Sequence, residues 1–153
     1  LPAEQGALTI SVSDEGKSST LSDLTLNGAA DRYVSEGSIT GITVTDTRPG
    51  APGWTANGRV RGLVTVDGAQ LPGKYLGWTP KVVSASDGQT VTAGDQVMPG
   101  FAEGTGIQGW TKLGSAPAGA STGTAVLGAN LRIEAPTTTA PGHYRGLVLI
   151  TVI

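Results

Sequence analysis

His143 is the single histidine of the chain, and it stands in Pro141-Gly142-His143-Tyr144, where a turn runs into a closing strand. A histidine becomes the base for a serine nucleophile only when folding brings a serine and a carboxylate to it. No nucleophile-elbow sequence accompanies this one, so His143 reads as a surface or hydrogen-bonded side chain. Paired carboxylates could act as acid and base in glycoside hydrolysis. Asp14 with Glu15, Asp31 with Glu36 and Asp95 with Glu103 lie near one another in sequence. Each sits in a polar stretch, where Asp and Glu mostly form turns. Calcium favours alternating acids in one loop; no Asp-x-Asp-x-Asp occurs, which leaves a structural ion near Asp46 or Asp95 as the metal reading. The chain has no cysteine, which excludes disulfides, thiolate zinc sites and a Cys nucleophile. The expectation is a noncatalytic protein without a cofactor.

Aromatic side chains are the remaining source of recognition chemistry, because an exposed ring can stack on a sugar or a partner. The supply is Trp54, Trp78, Trp110, Tyr33, Tyr75, Tyr144 and Phe101. Trp54 opens an apolar row and is expected in the core. Trp78 lies between Gly77 and Pro80, as at a strand end, and Trp110 lies in an irregular stretch. Trp78, Trp110 and Tyr75 are therefore the candidates for ligand contact.

The elements that must position these residues are strands. Trp54, Ala56, Gly58, Val60, Gly62, Val64 and Val66 alternate with Thr55, Asn57, Arg59, Arg61, Leu63, Thr65 and Asp67. That period of two predicts one long strand over 54–67 with a dry face and a wet face. Further alternating runs are Leu8/Ile10/Val12, Leu24/Leu26, Ile42/Val44 and Ala125 through Ile133. Ile39 is out of phase with Ile42 across Gly41, which predicts a bulge. Val82-Val83 and Val91 mark two short strands with Asp87-Gly88 as a tight turn between them. Residues 95–123 are broken by Gly and Pro and read as a long surface excursion. No window carries a helical period free of Gly and Pro. The fold class expected is all-β: an antiparallel two-sheet β-sandwich, Ig-like or jelly-roll-like, of about eight strands, with residues 1–153 forming one domain.

The closing strand, Tyr144 to Ile153, is apolar on both faces. Tyr144, Val148, Ile150 and Val152 lie on one, and Leu147, Leu149 and Ile153 on the other. A sandwich strand normally shows one polar face to water. Either the 95–123 excursion covers the second face, which is the slightly favoured expectation, or another chain does, which makes Leu147, Leu149 and Ile153 the candidate assembly interface.

Composition narrows the setting. Charged residues are 14% of the chain, against about 25% in ordinary domains. Glycine numbers 24 and the net charge is −2. No Lys/Arg cluster exists to displace counterions from nucleic acid or to hold an anionic membrane surface. No apolar run approaches the ~20 residues of a membrane span. Low charge with abundant Gly and Thr suits an extracellular β-domain, and the start at Leu1 rather than Met reads as a processed form.

Val44-Thr45-Asp46-Thr47-Arg48 through Gly53-Trp54-Thr55, then Tyr75-Leu76-Gly77-Trp78-Thr79-Pro80, and the closing Ala140-Pro141-Gly142-His143-Tyr144-Arg145-Gly146-Leu147 resemble the WxL-type cell-surface domain of Gram-positive bacteria, in its actinobacterial secreted form. The resemblance touches residues from about 40 to 153. It implies a secreted β-domain held at the cell wall, with noncovalent attachment to peptidoglycan through the Trp motifs. The function expected is a noncatalytic extracellular or cell-surface structural domain that associates with itself, as in a filament, or with another cell-surface protein. The alternative is a carbohydrate- or peptidoglycan-binding module using exposed tryptophans.

Overall fold

The computed structural model describes residues 6–12, 24–101, 103–140 and 142–153. Eleven strands follow in chain order among these residues: β1 (Leu8–Val12), β2 (Thr25–Leu26), β3 (Arg32–Asp46), β4 (Trp54–Arg59), β5 (Gly62–Val64), β6 (Gln70–Pro72), β7 (Leu76–Ala85), β8 (Thr92–Ala93), β9 (Thr111–Ala116), β10 (Gly123–Pro136) and β11 (Leu149–Val152). One antiparallel sheet has the order β1-β3-β10-β7, with β2 also paired to β3. A second has the order β11-β4-β9-β8, and β5 pairs with β6 in a separate ribbon. The only helical element among the described residues is a 3₁₀ turn at Gly73–Tyr75. This is the expected all-β sandwich; the strands beyond eight are two- and three-residue pieces.

The inner rows follow the alternation. Ile42 and Val44 on β3, Trp54 and Ala56 on β4, and Ala125, Leu127, Ala129, Leu131 and Ile133 on β10 all join one buried cluster. The bulge at Gly41 is present. Leu127 pairs with Ile42 and Ala129 with Ile39, so Thr40 and Gly41 together oppose Gly128. Gly41 takes φ +74°, which glycine adopts without strain. The extra residue turns both Ile39 and Ile42 inward, three positions apart.

Four expectations are corrected. The 54–67 strand ends at Arg59: the Val60 amide leaves the ladder and donates to the Ile107 carbonyl at 2.9 Å, and β5 then pairs with β6. The phase inverts there, so Val60 is buried whereas Val64 and Val66 face solvent. The period of two persists while the strand changes partner, and period alone does not report partners. Secondly, the 95–123 excursion contains β9, a member of the second sheet, whose Gly114 and Lys112 hide its alternation. Thirdly, Asp87-Gly88 forms a turn, with the Gln89 amide donating to the Ser86 carbonyl at 3.0 Å. It joins β7 of one sheet to β8 of the other, so it is a corner and not a hairpin. Fourthly, the closing strand spans only Leu149–Val152; upstream, Arg145 makes an isolated bridge to Val64.

Candidate functional site

The Asp46-Thr47-Arg48 to Gly53-Trp54 turn is a buried polar clamp. Asp46, the last residue of β3, is fully buried. Its Oδ1 accepts from Arg48 Nε at 2.9 Å and its Oδ2 from the Arg48 guanidinium at 3.1 Å. The same guanidinium donates to the Gly53 carbonyl at 2.8 Å. Ser121, from the loop before β10, closes the far side. Its Oγ accepts from the Gly53 amide at 3.0 Å, and its carbonyl accepts from Trp54 Nε1 at 3.3 Å and Gln89 Nε2 at 3.0 Å. Hydrogen bonds from Arg48 hold the Asp46 carboxyl below the usual carboxylate range, against the opposing effect of burial. The Asp46 carboxylate, the Arg48 guanidinium and the Gly53 backbone are satisfied by one another and by Ser121, so this motif anchors β3 to β4. Trp54 is core, as expected. With its carboxylate taken by Arg48, Asp46 is not available to a structural ion.

The three aromatic candidates are not brought together. Trp78 is 1% exposed; the exposure expected of it is not found. It projects from β7 across the core to β4, where a Cβ on Gly58 would stand 2.6 Å from its Cη2. Gly58 is thus the space the indole occupies. Pro80, which suggested a strand end, is tolerated because β7 is the last strand in the order of its sheet. Tyr75 is half-buried, with its ring 6.5 Å from that of Phe101, which also carries the Arg32 guanidinium at 4.3 Å. Trp110 alone shows a broad face to solvent, at 48% exposure, with the Arg59 guanidinium 5.6 Å from its ring.

Arg59 leads to the other group. On β11, Leu149, Thr151 and Val152 pair with Arg59, Asn57 and Ala56 of β4. Ile153 and Thr55 exchange both backbone hydrogen bonds, at 2.9 and 2.7 Å. Antiparallel alternation therefore turns the N–H and C=O groups of Ile150 and Val152 away from β4, toward an edge with no paired strand among the described residues. Ile150 and Val152 pack their side chains on the core. Leu147 and Ile153 are each 77% exposed and Leu149 is 41% exposed. The cover expected from the 95–123 excursion is absent among the described residues, because Ile107 is buried in the core and Phe101 packs on Tyr75. The structure thus places a strand edge that is unpaired among the described residues, an apolar row and Trp110 on one side of the second sheet.

His143 is exposed. Asp31 pairs with Arg32, and Glu36 with Arg132; Asp95 and Glu103 are exposed, and Asp14 and Glu15 lie outside the described residues. Among the described residues no group of three or more His, Asp or Glu could hold a metal. Sequence reading missed Ser121 and the Arg32–Glu134–Arg132 cluster, whose partners are 68 and 102 positions apart. Alternation on β10 could have placed Arg132 and Glu134 on its outer face, but not chosen their partners. Comparison with protein-family models, curated proteins and solved structures returns no match.

Proposed function

We propose that this chain is a noncatalytic interaction domain of the Gram-positive cell surface that docks through β11, by self-association or onto another surface protein. The observation that carries this reading is a β11 edge with no paired strand among the described residues, beside the exposed row Leu147, Leu149 and Ile153. Such an edge takes an added strand by backbone hydrogen bonds, and the apolar row supplies the burial. Low charge and the resemblance of the DTR-to-GWT and LGWTP segments to WxL-type domains support a location outside the cell. The apolar row offers no charge for nucleic acid, and no helix among the described residues is long and apolar enough to cross a membrane.

Sedimentation velocity over a concentration series, alongside binding to intact Gram-positive cells, tests the proposal. Association or cell binding that Leu149→Lys removes is expected. A protein that stays monomeric and ignores the cells, or a lysine variant that associates and binds like wild type, contradicts it.

A further inference from the structure

The direction of the backbone groups along β11 limits how a further strand can join it. Leu149 and Thr151 stand opposite Arg59 and Asn57, and Ile153 exchanges both backbone bonds with Thr55. Bonded and non-bonded pairs alternate along an antiparallel ladder, so Ile150 and Val152 are the β11 residues that can bond an added strand. The side chains of Leu149, Thr151 and Ile153, all exposed on the outer face, then fall in the non-bonded pairs, where facing residues come closest.

We infer that the strand added to β11 is the β11 of a second copy of this chain, antiparallel to the first about a two-fold axis at Thr151. The inference rests on the β11 docking proposed above and adds its occupant and register. A two-fold contact needs a surface that matches itself. In this register Ile150 of each copy exchanges backbone bonds with Val152 of the other. Leu149 of each copy stands opposite Ile153 of the other, apolar on apolar. The two Thr151 hydroxyls face each other, and a hydroxyl both donates and accepts, which makes a favourable cross-strand pair. Sliding one copy by two residues in either direction sets Thr151 against Leu149 or Ile153 instead. Residues 146–153 carry no charged side chain and no proline, the usual guards of a strand edge. A second copy therefore meets no like charge there, and a charged partner finds no opposite charge on the strand. The row of Arg59 and Leu149 continues through Ile153 to Thr55 of the second copy, so the two Arg59 side chains lie in different rows. The other ladders of this sheet are antiparallel, and the join continues them.

Cysteine cross-linking tests the register, because the chain has no cysteine of its own. Facing residues of a non-bonded pair lie about 4.5 Å apart at Cα, within reach of a disulfide. Val66 is 97% exposed, so Val66→Cys measures linking by collision. Under mild oxidation Thr151→Cys should form covalent dimers at least about tenfold faster than Val66→Cys, because the join raises the local thiol concentration. Adding Leu149→Lys should remove that advantage. Leu149→Cys should not link to itself rapidly, since its two copies would stand roughly 13 Å apart along the strands, but should link rapidly to Ile153→Cys when the two variants are mixed. Rapid linking of Leu149→Cys with itself overturns the inference, because it means a parallel or shifted join. Linking of Thr151→Cys no faster than Val66→Cys overturns it as well. In that case the β11 docking itself stands if wild type still associates or binds cells in a way that Leu149→Lys removes, and falls with the inference if it does neither.

Discussion

On the outer face of the first sheet, charged side chains answer one another. Arg32 donates to Glu134 at 2.6 Å, Arg132 donates to Glu134 at 2.9 Å and also pairs with Glu36, and Phe101 lies under the Arg32 guanidinium. On the outer face of the second sheet, Leu149, Ile153 and Trp110 meet water with Arg59 beside them. On the first face the ion pairs join β3 to β10. The second ends in a strand whose outer partner is not in the described chain. The contrast is between a face whose charges are paired across β3 and β10 and a face that carries an exposed apolar row.

Removing what both faces share should cost most. Trp78 fills the space between β7 and β4, and Trp78→Ala should destabilise the fold by about 3–5 kcal/mol, read from urea melts. A loss under ~1 kcal/mol would mean that the indole does not span the core. On the first face, Glu134→Ala strands Arg32 and Arg132 without their common acceptor. It should cost about 1.5–3 kcal/mol, since bonds to charged groups are the strong ones, and should leave association unchanged. Equal weakening of association would tie the two faces together and end the comparison.

Acid should act on the two faces differently. For Glu134, burial pushes the carboxyl pKa up, but the hydrogen bonds and charges of Arg32 and Arg132 outweigh it, and the net direction is down. Asp46 is lowered as well. A depressed folded-state pKa gives stability that is present above the ordinary values of 4.5 and 3.8 and is lost as pH falls through the lower folded values. Thermal melting should therefore be flat near neutrality and fall once pH drops below those ordinary values. The residues around β11 on the second face, Thr55, Asn57, Arg59 and Trp110, include no carboxylate, so association of the still-folded protein should not follow that curve. Melting that falls already between pH 7 and 6 would point to a group other than these two.

Much of the fold was legible because alternation reports which side of a strand is dry. It correctly aligned Ile42 with Val44, Trp54 with Ala56, and the row from Ala125 to Ile133. It failed where the question was what lies across from a residue. At Arg61 the period of two continued into a different ribbon, and Val64 and Val66 emerged on the outside. Trp78, flanked by Gly77 and Pro80, carried the local marks of a strand end, yet β7 runs through it because Gly58 leaves room opposite. The DTR-to-GWT turn was visible as a motif; its purpose depended on Ser121, far along the chain. The two-sided apolar character of the closing segment was legible too, but a sequence cannot say whether its own chain supplies the cover.

The smallest expected change in stability is the one that bears most on the second face. Leu149 stands opposite Arg59 on an outer surface and is 41% exposed. A lysine there can lay its methylenes along the sheet and lift its ammonium into water, so the isolated monomer should melt within about 0.5 kcal/mol of wild type. The same lysine faces a very different environment once a strand and its apolar row cover the site, because an unpaired charge in a dry contact is strongly disfavoured. It would also sit beside Arg59, adding like-charge repulsion. Association should therefore vanish while the melting curve hardly moves. Leu149→Ile, which keeps an apolar side chain of the same volume, should retain association. If Leu149→Lys destabilises the monomer by several kcal/mol, the row is covered by its own chain, and the contrast between a charge-paired face and an exposed apolar one is wrong.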